Sequence, residues 1–310
     1  MKKITLAVAA MLTAVAANAQ FTVTTENNTT QEIQGNVTFS TNAEGSAWSV
    51  GDTYNPDLDL SNIKSITLAE PKPAAKVGDY LYSDGSYSST LDADKKVIGI
   101  VFWSGDATVD DPALRADHPE CTHGLAVSLI ESRCEWQEYY EDISETVGDW
   151  IAENTDYASI DSGYGLNTPM NKMMGYNNTL GINAYNDEFI WDYEVIVASR
   201  VSFIMDDSYP ATANTSGWYI PSAKEVSLLI SGPYDGDIDD IGYLDTPLVE
   251  NLATVNAKIA TVANATVIDG VYWTSNEESE RQVFTLKTSN ALLMETSKGG
   301  SNAIRPIIAF

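Results

Sequence analysis

The chain has 310 residues, of which 44 are acidic and 17 basic, so its formal net charge is −27. A field this negative repels nucleic acids and anionic membrane surfaces, which excludes both as expected partners. Because the chain has only two cysteines, its stability has to come from an apolar core rather than from a disulfide framework.

The first nineteen residues predict a cleavable secretory signal peptide. Lys2 and Lys3 supply the positive start, residues 4–16 form a short apolar run, and residues 17–19 give the small-residue cleavage pattern. The run is shorter than the ~20 apolar residues of a membrane-spanning helix. Since Gln20 rather than a cysteine follows, a lipoprotein anchor is not expected. The mature protein is therefore predicted to act in the periplasm, at the cell surface or in the medium.

Residues 20–70 predict an N-terminal β-rich arm or small module. Residues 36–40 and 63–68 alternate as strands do, and turn signals lie between them. Pro71 and Pro73 then indicate a stiff linker, because proline fixes φ and cannot join a strand ladder.

The remainder, residues 71–310, predicts one α+β domain. Apolar or alternating runs predict strands, here over 79–82, 97–103, 124–130, 270–274, 282–286, 291–294 and 304–310. Aromatic and apolar residues spaced three and four apart predict a helix over 136–150, and Thr168-Pro169 opens a short helix to 176. Ser222 and Glu225 form a capping box for a helix ending near 230, and a further helix is expected over 247–263.

Three motifs in a fixed order carry a family resemblance. They are Gly217-Trp218-Tyr219-Ile220-Pro221-Ser222, Tyr272-Trp273-Thr274-Ser275-Asn276-Glu277 and Arg305-Pro306-Ile307-Ile308-Ala309-Phe310. This order resembles the C-type-lectin-like domain family that includes the C-terminal domain of the Legionella collagen-like adhesin and the Fibrobacter major paralogous domain. Residues 123–129 are similar to an element of its gut Bacteroidetes members. Thr274 and Asn276 depart from the family pattern, so no ligand preference is transferred.

The resemblance implies a C-type-lectin-like fold for residues 71–310, with a mostly antiparallel mixed sheet, packed helices and long loops. It also implies that the opening strand, 79–82, pairs with the terminal strand. The outer loop face would recognise a ligand, since loops on a rigid base commonly carry binding surfaces. The residues expected to bind there are Ser275, Asn276, Glu277, Arg281, Asn290 and Asn302.

Two further clusters are candidate sites. Four acidic residues share one loop and could hold Ca²⁺ through oxygen ligands, although their spacing departs from an EF-hand; they are Asp235, Asp237, Asp239 and Asp240. The alternative is a solvated acidic loop with no cofactor. Cys121 and Cys134 are candidates for a disulfide in an oxidising compartment, and an unbridged pair remains open.

Three functions stay open. The first is a secreted or surface adhesin that recognises a glycan or protein and is not an enzyme. The second is a structural subunit or tip component of a surface fibre, with residues 20–70 docking by strand addition and a homo-oligomeric or fibre assembly. The third is an extracellular hydrolase, although no catalytic motif such as Gly-x-Ser-x-Gly appears in the sequence.

Overall fold

The structure is a computed structural model. It describes residues 74–310 except 190–191, 206–208, 211 and 213, together with the backbone of five strands nearer the N-terminus. The chain divides into two compact units, Met1–Pro73 and Ala74–Phe310. The predicted signal peptide lies outside the described residues, as does most of the predicted strand at 36–40.

The strands described in the N-terminal unit form two antiparallel sheets. Its strands are β1 (Gln20–Thr25), β2 (Thr30–Gln34), β3 (Ser40–Thr41), β4 (Trp48–Ser49) and β5 (Ile63–Leu68). The larger sheet has the order β2-β1-β5, and the smaller one pairs β3 with β4. The prediction of a strand at 63–68 is confirmed.

The second unit combines two sheets with seven helices in its described part. Its strands are β6 (Tyr80–Tyr82), β7 (Tyr87–Ser88), β8 (Val97–Trp103), β9 (Leu125–Ser128), β10 (Ser132–Cys134), β11 (Trp218–Tyr219), β12 (Val271–Glu277), β13 (Gln282–Lys287), β14 (Leu292–Ser297), β15 (Asn302–Ile304) and β16 (Ile307–Ala309). Its helices are α1 (Pro112–Asp117), α2 (Val147–Asn154), α3 (Gly175–Phe189), α4 (Ile196–Met205), α5 (Ala223–Ser231), α6 (Ile238–Ile241) and α7 (Glu250–Ile259). This confirms the α+β class.

Strand β8 lies inside its sheet, and buried apolar clusters pack against both of its faces. One sheet runs β11-β16-β9-β8-β6-β7 and the other runs β10-β15-β12-β13-β14. Strand β8 is an unbroken apolar run, and its side chains divide between two buried clusters: Ile100 and Phe102 join one, while Ile98 and Val101 join the other. A strand covered on both faces is what such a run predicts.

The two chain ends of this unit do not pair as expected. Strand β16 pairs with β9 and β11, whereas β6 pairs with β7 and β8. The prediction that the opening strand pairs with the terminal strand is therefore wrong, because β8 and β9 lie between them.

Some predictions that depend only on residues close together in the sequence are confirmed. The capping box is present at the start of α5, and the predicted C-terminal strands are confirmed. The predicted helix over 136–150 is wrong for most of its length, since a 3₁₀ turn at Tyr140–Asp142 precedes α2, which begins only at Val147. The aromatic spacing there has a tertiary cause, because Trp136 Nε1 donates to the Thr274 carbonyl 3.0 Å away inside the core.

No helix in the described part of the chain combines the length and the apolar character needed to cross a membrane.

Gly124, just before β9, allows a close approach of two backbones. Its φ is +156°, and a Cβ there would lie 2.4 Å from the Trp103 carbonyl oxygen. We expect Gly124→Ala to destabilise the protein by roughly 1–3 kcal/mol. Gly163→Ala is the matched control, since its Cβ would meet nothing within 4 Å. Chemical denaturation of both variants checks this, and equal midpoints would contradict it.

Candidate functional site

The last three residues of β12 are buried rather than displayed on a loop. Ser275, Asn276 and Glu277 are all 0% exposed. Ser275 Oγ accepts a 2.9 Å hydrogen bond from Asn178 on α3, and Asn276 Oδ1 accepts one of 2.7 Å from the Ala223 amide at the start of α5. The structure thus differs from the expected outward loop, because these polar side chains fix helices to the sheet.

The other expected ligand-binding residues do not converge. Arg281 precedes β13 and Asn290 follows it, so six strand residues at ~3.3 Å each separate them. Asn290 donates to the Gly242 carbonyl, and Asn302 begins β15 opposite Cys134. These residues therefore lie at separate points of the sheet rather than in one pocket, and their role in ligand binding stays a prediction.

Of the four loop aspartates, Asp237 has a hydrogen-bonding role of its own, and calcium binding by the four stays a prediction. Asp237 is the N-cap of α6, and its carboxylate accepts hydrogen bonds from the Asp239 amide and the Asn171 side chain. Among the described residues, a single group brings three potential metal ligands within 4.8 Å of one another; it consists of His118, Glu120 and Cys121. Asp235, Asp237, Asp239 and Asp240 are not part of it.

Cys121 and Cys134 are both free and buried. They belong to different apolar clusters, which separates them physically. Burial raises the pKa of Cys121 to about 12 and that of Cys134 to about 11. Both thiols are therefore protonated at neutral pH and poor nucleophiles.

A cluster of buried charge surrounds the end of β12, and we call it the Glu277 cluster: Gln137, Gly148, Asp161, Glu277 and Lys298. Lys298 forms an ion pair with Glu277, and neither side chain has any exposed surface. Lys298 Nζ also donates to Gln137 Oε1 at 3.0 Å and lies 5.2 Å from the centre of the Trp136 ring. Burial raises the pKa of Glu277 to about 7 despite this partner.

Gly148 and Asp161 lie against Glu277. The Gly148 amide at the first turn of α2 donates to Glu277 Oε2 at 2.8 Å. Asp161 pairs with Glu277 as an isolated parallel bridge, and a Cβ on Gly148 would lie 2.5 Å from Asp161 Oδ1. That oxygen is buried without a hydrogen-bond partner, and burial raises the pKa of Asp161. Two carboxyl groups therefore converge on one glycine.

A cleft of about 340 Å³ opens beside this cluster, and its lining residues are Thr146, Asp161, Ser162, Gly163, Tyr164, Glu278 and Phe284. Tyr164 packs edge-on against Phe284 with 5.5 Å between ring centres and donates to Glu295. Because carboxylates line its wall, the cleft suits ligands that donate hydrogen bonds or carry a positive charge.

Of the Glu277 cluster, the sequence pattern indicated only Glu277, and no signal marked Gln137, Gly148, Asp161 or Lys298. Lys298 precedes Gly299-Gly300, a pattern typical of an exposed turn, and no spacing links it to residues 137 or 161. Only the tertiary structure brings them together.

The comparisons with known proteins point to fimbrial proteins. No protein-family model matches the chain. A Bacteroides ovatus protein described as "Putative fimbrium tip subunit Fim1C" is 28% identical over 235 residues, covering 67% of this chain and 40% of the relative. A crystal structure of a fimbrial protein from Bacteroides ovatus matches with a TM-score of 0.61 at 21% identity, covering 96% of this chain and 65% of that one.

The chain therefore has the fold of a fimbrial protein, although it spans less than two thirds of either match. The assignment to the C-type-lectin-like adhesin family is wrong, since the relatives are fimbrial, and a glycan ligand has no support from them. The motifs that suggested it have structural roles: Ser222 caps α5, and the buried Arg305 pairs with Glu131.

Proposed function

We propose that this protein is a non-enzymatic subunit of a fimbria-like fibre outside the cell. The observation that supports this best is the structural match to a fimbrial protein over 96% of the chain. The relative described as a fimbrium tip subunit supports the same class independently at the level of sequence. The predicted signal peptide supplies the route of export.

The N-terminal unit offers a means of assembly. In its larger sheet β1 is paired on both sides, while β2 and β5 form the edges of the described three strands. Strand edges present unpaired backbone donors and acceptors that can add a strand from another chain. We infer that residues 20–70 carry an assembly contact of the fibre.

A shearing experiment tests the proposal. Cells expressing the full chain are expected to release it with a sheared, sedimenting fibre fraction detected by an antibody. A variant lacking residues 20–70 should fold, as judged by circular dichroism, but leave that fraction. Asp84→Ala, in an exposed loop of the second unit, is the control and should remain. Full-length protein found only as a non-sedimenting monomer would overturn the fibre assignment.

A further inference from the structure

The Lys298–Glu277 pair crosses one strand of the sheet. Glu277 ends β12 and Lys298 directly follows β14, while β13 lies between these two strands. The Lys298 amide donates to the Arg281 carbonyl just before β13 at 3.0 Å. A bond between the two side chains would therefore tie the two strands that flank β13.

The pair is closed off from solvent, so it loses the hydration of two charges. Passing the proton from the ammonium to the carboxylate within the pair is the first step of the reaction, and it leaves an amine beside a carboxylic acid. Gln137 and Trp136, the neighbours of Lys298 Nζ, are themselves 0% exposed. A neutral amine beside a neutral carboxylic acid is the reactant pair for amide formation, and fixed proximity replaces a bimolecular encounter.

The groups around the carboxyl suit that reaction. The Gly148 N–H on Glu277 Oε2 is placed to stabilise negative charge that develops on this oxygen. Asp161 Oδ1 is unpartnered and close to the same glycine, so it can take up a proton. Asp161 also lines the cleft, which gives a released water a way out.

We propose that Lys298 Nζ and Glu277 Cδ become joined by an intramolecular amide bond. The amine lone pair attacks Cδ, and the tetrahedral intermediate places its charge on the oxygen held by Gly148. Asp161 accepts the proton lost by nitrogen and returns it to the departing hydroxyl. One N–C bond forms, one C–O bond breaks and one water leaves, so no oxidant or other co-reactant is needed.

Peptide mapping of the unmodified full chain tests the bond without any mutation. Trypsin cleavage after Lys298 is expected to be lost, and the peptide 259–281 should be recovered joined to 288–310, lighter than their sum by one water. Cleavage after the exposed Lys287 is the internal control. A free peptide ending at Lys298, with an unlinked 259–281, would overturn the proposal.

An exposed ion pair serves as a control that shows whether proximity alone is enough for an amide bond to form. Lys95 and Asp84 are 2.7 Å apart but exposed to solvent. Both residues lie in tryptic peptide 77–95, which should be recovered at its full mass with normal cleavage after Lys95, since hydration keeps both groups charged. Linkage of Lys95 to Asp84 as well would mean that the buried site has no special reactivity, which would overturn the mechanism.

Variants then test the individual roles. Lys298→Arg should give the unlinked peptides 259–281, 288–298 and 299–310, whereas Glu277→Gln should give the same linked product by loss of ammonia. Asp161→Asn should slow linkage at least tenfold in a time course after refolding, with the end product unchanged. An unchanged rate would contradict the proton-transfer role of Asp161.

Discussion

Lys298→Ala is expected to lower the free energy of unfolding by about 3–5 kcal/mol, because it removes one partner of the buried Lys298–Glu277 pair, together with any amide bond between them, and leaves the Glu277 carboxyl uncompensated. Glu277 would then lie fully buried beside Gln137 without its cation, and it could respond only by keeping its proton. The Trp136 ring would also lose its contact with Lys298 Nζ. Urea denaturation at neutral pH measures the loss.

Two further variants give this prediction its controls. Lys287→Ala, exposed at the end of the neighbouring β13, should change stability by less than about 0.5 kcal/mol. Combining Lys298→Met with Glu277→Leu removes both charges while retaining bulk, and should recover much of the loss. A Lys298→Ala variant as stable as Lys287→Ala would show that the pair contributes nothing.

The fold was predicted best where the pattern depends only on residues close together in the sequence. The apolar run of β8 and the capping box of α5 require no knowledge of distant residues, and both are present in the structure. The predicted helix over 136–150 is wrong because Trp136 lies in an irregular segment and points into the core. The aromatic spacing there reflects packing against β12 rather than a helix. The short helix predicted over 168–176 is a 3₁₀ turn at Pro169–Asn171 followed by the first two residues of α3, and the rest of the long α3 was not predicted because its composition is polar.

The candidate site was harder to predict for a physical reason. Residues 275–277 are polar and follow a strand, a pattern typical of an exposed loop. Their burial depends on Asn178, the amide at the start of α5 and Lys298, which bind Ser275 Oγ, Asn276 Oδ1 and the Glu277 carboxyl, and none of these neighbours is close in sequence. Hydrogen-bond partners of buried polar groups are set by the tertiary fold, so composition and spacing could not reveal them.

Glu225 is expected to make folding stability depend on pH between about 4.5 and 7. Its carboxyl is fully buried and accepts hydrogen bonds from the Ser222 amide and the Tyr219 hydroxyl. Burial raises its pKa to about 7 in the folded protein, from 4.5. The folded state therefore holds this proton more tightly than the unfolded state, so the stabilisation is complete below the unfolded pKa and is lost as pH rises through 7.

Glu225→Gln isolates that effect, because the amide resembles the protonated acid and does not titrate. We expect its stability relative to the unmodified protein to be about 3 kcal/mol more favourable at pH 8 than at pH 4, at 1.36 kcal/mol per pKa unit. Val226→Ala, a buried apolar change on the same helix, should shift stability equally at both pH values. Urea denaturation across this range measures the difference. If Glu225→Gln also shifted stability by a constant amount, Glu225 would be ionised in the folded protein at neutral pH, and its hydrogen bonds would outweigh its burial.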